Sequence, residues 1–290
     1  MEIVILAGGS GWHTDELVRA VSARGLVPHL LPWEASVSRM GSASGVTNSG
    51  RALREARGVL ARIIPGGTLE QIIFRVDTLH RLEEEGVRVM NTARAIERTV
   101  DKAWTSAILE RAGLPTPETV ACERVEDAFA AFAAMGDVVV KPLFGSMGLG
   151  MSRVSDEDMA WRVFRVIETV RGVYYLQRFV PHGGRDVRAF VVGDRVLGAI
   201  ERTADDWRTN FSRGGRAAPI TLPAAWADLA LRAARAVGAE YAGVDLLPAE
   251  DGTVYVLEVN GIPGWEGLQA ATGIDVAGAI LDQLLRIPVP

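Results

Sequence analysis

Three oxygen-bearing side chains near the carboxyl terminus have the types and spacing of a metal site. Glu258 and Asn260 occupy alternate positions of the apolar segment 255–260, so a strand would project both from one face. Such polar groups are costly to bury unless a cation or a polar partner satisfies them. Asp245, on the preceding predicted strand, completes a donor set without sulfur or imidazole, which suits Mg²⁺ or Mn²⁺ carrying nucleotide phosphates. An edge strand with a solvated acidic face is the alternative interpretation.

A lysine and a glycine-rich segment form a second candidate group. Lys141 ends a predicted strand, and the residues that follow include Gly145, Ser146 and Gly148. Glycine allows backbone N–H groups to approach phosphate oxygens, and the lysine adds a mobile positive charge. The segment lacks the Gly-Lys-Ser/Thr ending of a Walker A loop and is predicted to be a hairpin between strands. A flexible hairpin with an incidental lysine explains the same residues, as a solvated helix face explains Lys102.

Two later segments carry side chains that could contact a nucleotide or an anionic intermediate. Residues 177–180 lead into a Pro-His-Gly-Gly connector that could offer backbone hydrogen bonds and an apolar wall to a purine. Beyond the connector, Asp186 and Arg188 share a strand face, where Arg–carboxylate pairing is the simpler interpretation. An arginine-rich loop is then predicted to face the metal site, with a solvated loop as the alternative. Its candidate residues are Arg202, Arg208, Asn210 and Arg213.

Composition limits the classes of function. The chain has 290 residues, 48% hydrophobic and 23% charged, which is typical of a globular enzyme with two or three compact domains. A formal charge of −5 without a Lys/Arg-rich block argues against nucleic acid as a partner. The single cysteine, Cys122, excludes an internal disulfide and a cysteine-based zinc site. No signal peptide or membrane-length apolar run is found, so we expect a cytoplasmic protein.

The pattern of elements predicts one α/β lobe followed by two α+β lobes. Residues 1–95 alternate short apolar strands with helical stretches, which indicates a parallel sheet. Within them, residues 36–58 are rich in Ser, Gly and Arg and are interpreted as a mobile surface loop or insertion. Residues 96–173 form the predicted central lobe. Residues 174–290 form the carboxyl-terminal lobe, which opens with several strands, contains the three oxygen donors and closes with a helix over residues 275–285.

The order of these groups resembles that of an ATP-grasp ligase of the RimK-like group over essentially all 290 residues. The resemblance implies an ATP-grasp fold, in which an amino-terminal parallel-sheet domain precedes two α+β lobes that clamp the nucleotide. It also implies that Asp245, Glu258 and Asn260 bind two Mg²⁺ or Mn²⁺ ions. The residues that it assigns to ATP are Lys102, Lys141, Gly145, Ser146, Gly148, Gln177, Arg178, Phe179, Val180, Asp186 and Arg208. The residues that it assigns to catalysis are Arg188, Arg202, Asn210 and Arg213.

Arg178 departs from the family pattern, which often has an acidic residue at this position. Main-chain groups could still bind the adenine, whereas a contact between the Arg178 side chain and the ribose is in doubt. His13, in the glycine-rich segment near the amino terminus, is a candidate substrate contact. A solvated loop histidine is the alternative.

The resemblance implies an amide-forming reaction that starts from ATP and a substrate carboxylate. The γ-phosphate of ATP would activate the carboxylate as an acyl phosphate, and an amine would then displace the phosphate. Residues 260–269 are similar to those of members that glutamylate pterin cofactors such as tetrahydromethanopterin, so L-glutamate and a small-molecule acid are the expected substrates. Ligation to a protein or peptide carboxyl terminus is one alternative, and a catalytically idle ATP-binding regulator is another. No membrane partner is expected, and a homo-oligomer stays open.

Overall fold

The computed structural model describes residues 1–145, 148–209 and 216–286. These residues form one parallel sheet, two larger antiparallel sheets and a small antiparallel sheet, with helices packed against them. This mixture confirms the predicted α/β and α+β class. Within the described ranges, no helix is both long and apolar enough to cross a membrane.

The amino-terminal unit is built on the parallel sheet. Its elements are β1 (Glu2–Ala7), α1 (Trp12–Ala23), β2 (Val27–Pro32), β3 (Ser36–Arg39), β4 (Gly45–Asn48), β5 (Arg51–Ala52), β6 (Gly58–Ala61), α2 (Leu69–Glu84), β7 (Val89–Met90) and α3 (Ala93–Val100). The strand order is β2-β1-β6-β7, so the chain leaves β1 on one side and returns on its other side. Nearly all of β1 is buried, as expected for an inner strand of a parallel sheet.

Residues 36–58 do not form the loop that the sequence predicts. Strands β3, β4 and β5 pair antiparallel as a small sheet. Val46 and Leu53 are buried in a core that they share with the parallel sheet, and the Asn48 amide donates to the Pro32 carbonyl oxygen. The small polar residues of this insertion therefore satisfy one another inside a folded element.

The central unit is an antiparallel sheet covered by two helices. After α4 (Lys102–Arg111), its elements are β8 (Thr119–Cys122), α5 (Val125–Met135), β9 (Val138–Lys141), β10 (Ser152–Val154), α6 (Glu157–Thr169) and β11 (Tyr174–Arg178). The strand order β10-β9-β11-β8 places β11 inside this sheet, whereas the sequence predicts that residue 174 opens the third lobe. Backbone pairing is the reason, because β11 bonds to both β8 and β9.

The third unit contains the largest sheet. Its elements are β12 (Arg185–Val192), β13 (Arg195–Thr203), β14 (Arg216–Pro219), α7 (Ala224–Val237), β15 (Tyr241–Pro248), β16 (Val254–Asn260), α8 (Glu266–Thr272) and α9 (Val276–Arg286). The strand order is β14-β13-β12-β15-β16, and α9 is the predicted closing helix. Strand β16 is at the edge of this sheet, but its outer side is not open along its length, because the Val256 N–H donates to the Pro115 carbonyl oxygen.

Shared cores join the third unit to the first unit and to α4. One core packs Ile3 and Ile5 of β1 with Phe190 of β12 and Ile280 of α9. A second core packs Ile108 of α4 with residues of β12, β15 and α7. The central unit has a separate core between its sheet and its two helices. The first and third units therefore form one continuous support beside the central sheet.

Candidate active site

Lys102 and Lys141, the two lysines of the chain, both line the candidate active site between the central and third units. Lys141 is 8% exposed at the end of β9, and its Nζ donates to the Gln177 side-chain oxygen over 2.6 Å. Tyr175 lies directly opposite Lys141 on β11, so alternation puts Tyr175, Gln177 and Lys141 on one sheet face. Burial lowers the pKa of Lys141 to about 8, although the carboxylate of Glu258 acts in the opposite direction.

The glycine-rich segment connects two paired strands, as predicted. Strands β9 and β10 pair antiparallel on either side of it. Gly148 and Gly150 have φ angles of 69° and 75°, a left-handed conformation that favours glycine. The Lys102 Nζ donates to the Gly145 carbonyl oxygen over 2.7 Å, which ties the start of the turn to α4. Ser146 lies outside the described residues.

The predicted oxygen donors lie together on neighbouring strands. The register of β15 and β16 places Asp245 opposite Glu258 and Gly243 opposite Asn260. In the described part of the chain, no three His, Cys, Asp or Glu side chains gather closely enough to hold a metal. The amide oxygen of Asn260, the third predicted donor, accepts a hydrogen bond from the Ile262 N–H over 3.0 Å.

Both lysines and Glu258, one of the three predicted oxygen donors, line a small cavity between the central and third units. Its volume is about 10 Å³, and its lining includes Lys102, Lys141, Tyr175 and Glu258. Glu258 is partly buried here and, among the described residues, has no cationic partner at ion-pair distance. The arrangement places an unpaired carboxylate opposite two ammonium groups, which is the electrostatic setting that a phosphate chain with a divalent cation requires.

Two arginines form ion pairs with the Asp245 carboxylate. Arg188 donates from Nε and Nη2 to its two oxygens over 2.7 Å each, and Arg202 lies 3.0 Å from one of them. Burial would raise the pKa of Asp245, but the charges of both arginines hold it well below its usual range. Asp245 is therefore an ionised, firmly anchored group.

Arg202 does not belong to the arginine-rich loop in which the sequence places it. It lies within β13, opposite Asp186 of β12, and is 5% exposed. Its guanidinium donates to both Asp186 oxygens over 2.7 and 2.6 Å, and the Thr209 hydroxyl donates to one of them. The simpler interpretation of Asp186 and Arg188, Arg–carboxylate pairing, is thus present. Asp186 pairs with Arg202 of β13, and Arg188 pairs with Asp245 of β15.

Arg208 lies in the segment after β13. Its guanidinium lies 4.9 Å from the ring centroid of Trp207, and its Nε lies 3.2 Å from an Asp206 oxygen. Asn210 and Arg213, which are predicted to contact the transferred phosphoryl group, lie outside the described residues. The role of Arg208 toward ATP stays a prediction.

A larger pocket, of about 310 Å³, lies beside the connector. Phe179, His182 and Trp207 contribute aromatic rings to its lining, and the Arg153 guanidinium lies 3.5 Å from the Phe179 ring centroid. Arg153 and Trp207 were not identified from the sequence. Arg153 could have been found by strand alternation, because it pairs with Val139 and therefore shares the sheet face of Lys141.

Arg178 points away from this pocket. Its guanidinium pairs with Glu118 and donates to the Met135 carbonyl oxygen over 2.8 Å, and its side chain is exposed. At the end of β11, the backbone N–H of Arg178 donates to the Glu118 carbonyl oxygen, and that of Phe179 donates to the Asp137 carbonyl oxygen. The Arg178 side chain therefore makes its contacts on the outer surface of the central unit.

Comparisons with known proteins show the family to which this chain belongs. The family model of the RimK-like ATP-grasp domain matches residues 99–284. The tetrahydromethanopterin:alpha-L-glutamate ligase of Methanosarcina acetivorans is 36% identical over 310 residues, which cover 95% of this chain and 96% of that protein. The chain belongs to the RimK-like ATP-grasp family. The probable alpha-L-glutamate ligase of Trichodesmium erythraeum, another relative, is 33% identical over 98% of this chain and 96% of its own length.

Solved structures of ATP-grasp ligases share this fold over nearly the whole chain. The ligase PsnB in complex with a minimal precursor superposes with a TM-score of 0.78 at 25% identity, covering 98% of this chain and 97% of that one. The RimK domain protein of Sphaerobacter thermophilus gives a TM-score of 0.74 at 25% identity, covering 98% and 100%. This RimK-like protein is thus an ATP-grasp ligase that forms carbon–nitrogen bonds. ATP and divalent cations are the cofactors of ATP-grasp ligases, and PsnB has been solved with Mg and ADP.

Proposed function

We propose that this RimK-like ligase adds L-glutamate, through its α-amine, to the carboxylate of a small-molecule acceptor such as a pterin cofactor. The observation that carries the proposal is the cavity where Lys102 and Lys141 meet Glu258. Two ammonium groups and a cluster of oxygen donors suit the phosphate chain of Mg-ATP. The relatives named tetrahydromethanopterin:alpha-L-glutamate ligase, 36% and 33% identical to this chain, support glutamate and a pterin acid as substrates.

Glu258, Asn260 and Asp245 would hold the two Mg²⁺ or Mn²⁺ ions. Their donor atoms are all oxygen, and Glu258 carries no ion pair among the described residues. Asp245 is bound by two arginines, but each carboxylate oxygen has a further lone pair that a cation could use. Bound divalent cations would supply neutralisation of the phosphate charge.

The pocket beside the connector would receive the nucleoside part of ATP. Its volume of about 310 Å³ is at the lower end of the range for small-molecule sites. Phe179 and Trp207 offer aromatic surface to a purine, and the backbone of residues 177–180 offers donors and acceptors. Lys141, which shares the sheet face of Arg153, would then lie on the phosphate side.

The proposed reaction has two displacement steps. An oxygen of the acceptor carboxylate attacks the γ-phosphorus of ATP, the bond to the β-phosphate oxygen breaks, and ADP leaves. The neutral α-amine of glutamate then attacks the acyl carbon, inorganic phosphate leaves and a proton is released as the amide forms. Arg188 and Arg202 act as fixed donors in this scheme, because Asp245 and Asp186 already hold their guanidinium groups in place.

An ADP-release assay tests the proposal. The wild-type protein is incubated with Mg-ATP, a panel of amino acids, and either pterin carboxylates or peptides, since the PsnB complexes contain a precursor peptide. We expect ADP release that requires both an acid and L-glutamate, with a product heavier by one glutamyl residue. Release only with peptides would move the acceptor to the alternative class, and binding of ATP without release under any condition would indicate a regulator.

A matched pair of variants ties the assay to the site. Glu258→Gln removes the unpaired carboxylate while keeping its size, and we expect ADP release to fall by at least about a hundredfold. Glu123→Gln makes the same chemical change at an exposed position and should leave the rate unchanged. Near wild-type turnover by Glu258→Gln would contradict the metal assignment.

A further inference from the structure

A crevice is expected at the carboxyl edge of the parallel sheet. The chain runs from β1 to β2 on one side and reaches β6 on the other, and ligands bind where strand order reverses in this way. Residues 8–11 follow β1, and Arg62 follows β6, with its N–H donating to the Leu6 carbonyl oxygen over 2.8 Å.

His13, in the first turn of α1, is not the solvated histidine of the alternative interpretation. Its ring is partly buried between Trp12 and Trp265, at centroid distances of 4.9 and 4.7 Å. The backbone N–H of Trp265 donates to His13 Nε2 over 3.0 Å, so in the neutral ring the hydrogen is on Nδ1. Burial, together with the charge of Arg62, lowers the pKa of His13 to about 4. The imidazole therefore offers one fixed donor and is not available as a base.

Arg62 is a buried cation without a counterion. It is 3% exposed, and among the described residues no carboxylate lies within ion-pair distance of it. Its Nη1 donates to the Pro263 carbonyl oxygen over 3.1 Å, and its guanidinium lies 4.7 Å from the ring centroid of Trp265. An unpaired buried charge is destabilising, so Arg62 is suited to an anionic ligand that would supply the counterion.

The groups around Arg62 are donors as well. The indole Nε1 of Trp265 is buried and has no acceptor in the described part of the chain. His13 Nδ1 likewise has no acceptor there. A guanidinium, an indole N–H and an imidazole N–H thus lie together, and among the described residues none of them has an anionic partner. A carboxylate is an acceptor with two oxygens and a negative charge.

This cluster is next to the predicted metal strand. Residues 263–265, which contact Arg62 and His13, follow β16 directly. Beneath them, a Cβ on Gly243 would lie 3.0 Å from Pro263 Cβ and 3.6 Å from Arg188 Cδ, and Gly243 pairs with Asn260. The phosphate-directed cations, Lys102 and Lys141, lie instead on α4 and the central sheet.

We propose that His13, Arg62 and Trp265 bind a carboxylate group of an organic substrate in this crevice. The inference rests on the proposed function and deepens it, because it assigns residues that select a substrate. The carboxylate belongs either to the incoming amino acid or to the acceptor acid. Substrate held here by one carboxylate lies beyond the carboxyl-terminal end of β16, with its reacting group free to meet the activated phosphate end of ATP.

Kinetics of Arg62→Met and His13→Phe test the proposal and separate the two sources. Both variants keep side-chain bulk while removing the donors. We expect the KM of one organic substrate to rise by about tenfold to a hundredfold, with the KM of ATP nearly unchanged. A rise for the amino acid identifies it as the ligand, and a rise for the acceptor identifies the acceptor. Arg62→Lys, which keeps the charge, should restore part of the affinity.

A turnover-independent measurement uses the four histidines of the chain. In protein labelled with ¹⁵N-histidine, the resonance missing from His13→Phe is that of His13, and its Nδ1 should shift when the organic acid is added but not when ADP is added. The melting temperature of Arg62→Met without substrate should equal or exceed that of the wild type, since an unpaired buried charge is lost.

The outcomes distinguish the two levels of the argument. Wild-type protein that releases no ADP with any acid and amine contradicts the proposed function. Wild-type turnover together with unchanged KM values in both variants, or an unmoved His13 resonance at saturating substrate, overturns the carboxylate site alone. A lowered melting temperature with unchanged KM values would show that Arg62 only supports residues 263–265.

Discussion

Replacing Lys141 by methionine should change stability and function in opposite directions. A lysine whose pKa falls from 10.5 to about 8 on folding carries a penalty of roughly 3 kcal/mol at pH 7. Methionine removes the charge but also leaves the buried Gln177 oxygen without its donor, which costs about 1–2 kcal/mol. We therefore expect Lys141→Met to be more stable than the wild type by about 1–2 kcal/mol at pH 7 without ATP. The corresponding rise in Tm is about 2–4 °C.

The pH dependence of this difference is the decisive measurement. Below pH 8, Lys141 is protonated in both the folded and the unfolded protein, so the wild type carries the full penalty. Between pH 8 and 10.5, the unfolded chain binds a proton that the folded protein has lost, so wild-type stability rises with pH relative to the variant. Thermal melts of both proteins across this window should show the advantage of Lys141→Met disappear and then reverse.

Lys102→Met is the matched control, because it removes the other lysine at the same site. Its Nζ makes a single hydrogen bond to the Gly145 carbonyl oxygen at the surface, so stability should change by less than about 0.5 kcal/mol at every pH. Both variants should lose much of the thermal stabilisation that Mg-ATP gives the wild type. A Lys141→Met protein that is less stable than the wild type at pH 7, by an amount that does not vary with pH, would refute the picture of a desolvated amine.

Three further outcomes follow from the same structure. Arg202→Met should lower the free energy of unfolding in urea by about 3–5 kcal/mol, because the buried Asp186 carboxylate loses its cation. Adding Asp186→Leu to this variant should recover most of that loss, and equal stability of the single and double variants would contradict the reasoning. Asn91→Ala should cost about 2–4 kcal/mol, since its amide bonds the backbone of residues 240, 241 and 261, and an unchanged urea midpoint would be inconsistent with those bonds. ATP at a hundred times its Kd should stabilise the protein by about 2.7 kcal/mol, and EDTA should abolish most of this gain in a thermal melt if Glu258 and its neighbours bind a divalent cation.

Elements with long, regular apolar patterns could be predicted from the sequence. The closing helix predicted over residues 275–285 matches α9 within one residue at each end, and the strand predicted to end at Lys141 is β9. The sheet within residues 36–58 could not be predicted, because small polar residues in a short strand look like a loop until their buried partners are known. The sheet to which β11 belongs could not be predicted either, since strand pairing depends on partners far away in the chain.

The candidate site shows the same division. Alternation along one strand predicts that Glu258 and Asn260 share a face, and the register of β15 and β16 brings Asp245 of the preceding strand opposite Glu258. It was not enough for Arg202, because a polar Glu-Arg-Thr sequence reads as loop, while pairing on both sides extends β13 to Thr203. The packing of His13 against Trp265 joins the two ends of the chain, and no local pattern predicts it.

The restriction of lysine to this site gives the protein a built-in chemical handle. Amine-directed reagents have few targets in a chain whose 31 basic residues include only Lys102 and Lys141 as lysines, besides the amino terminus. At pH 8, about half of the Lys141 side chains are neutral amines, the form that acylating reagents modify. Labelling followed by peptide mapping would therefore report on the proposed phosphate end of the nucleotide site, and protection by ATP would appear as the loss of a single modified peptide.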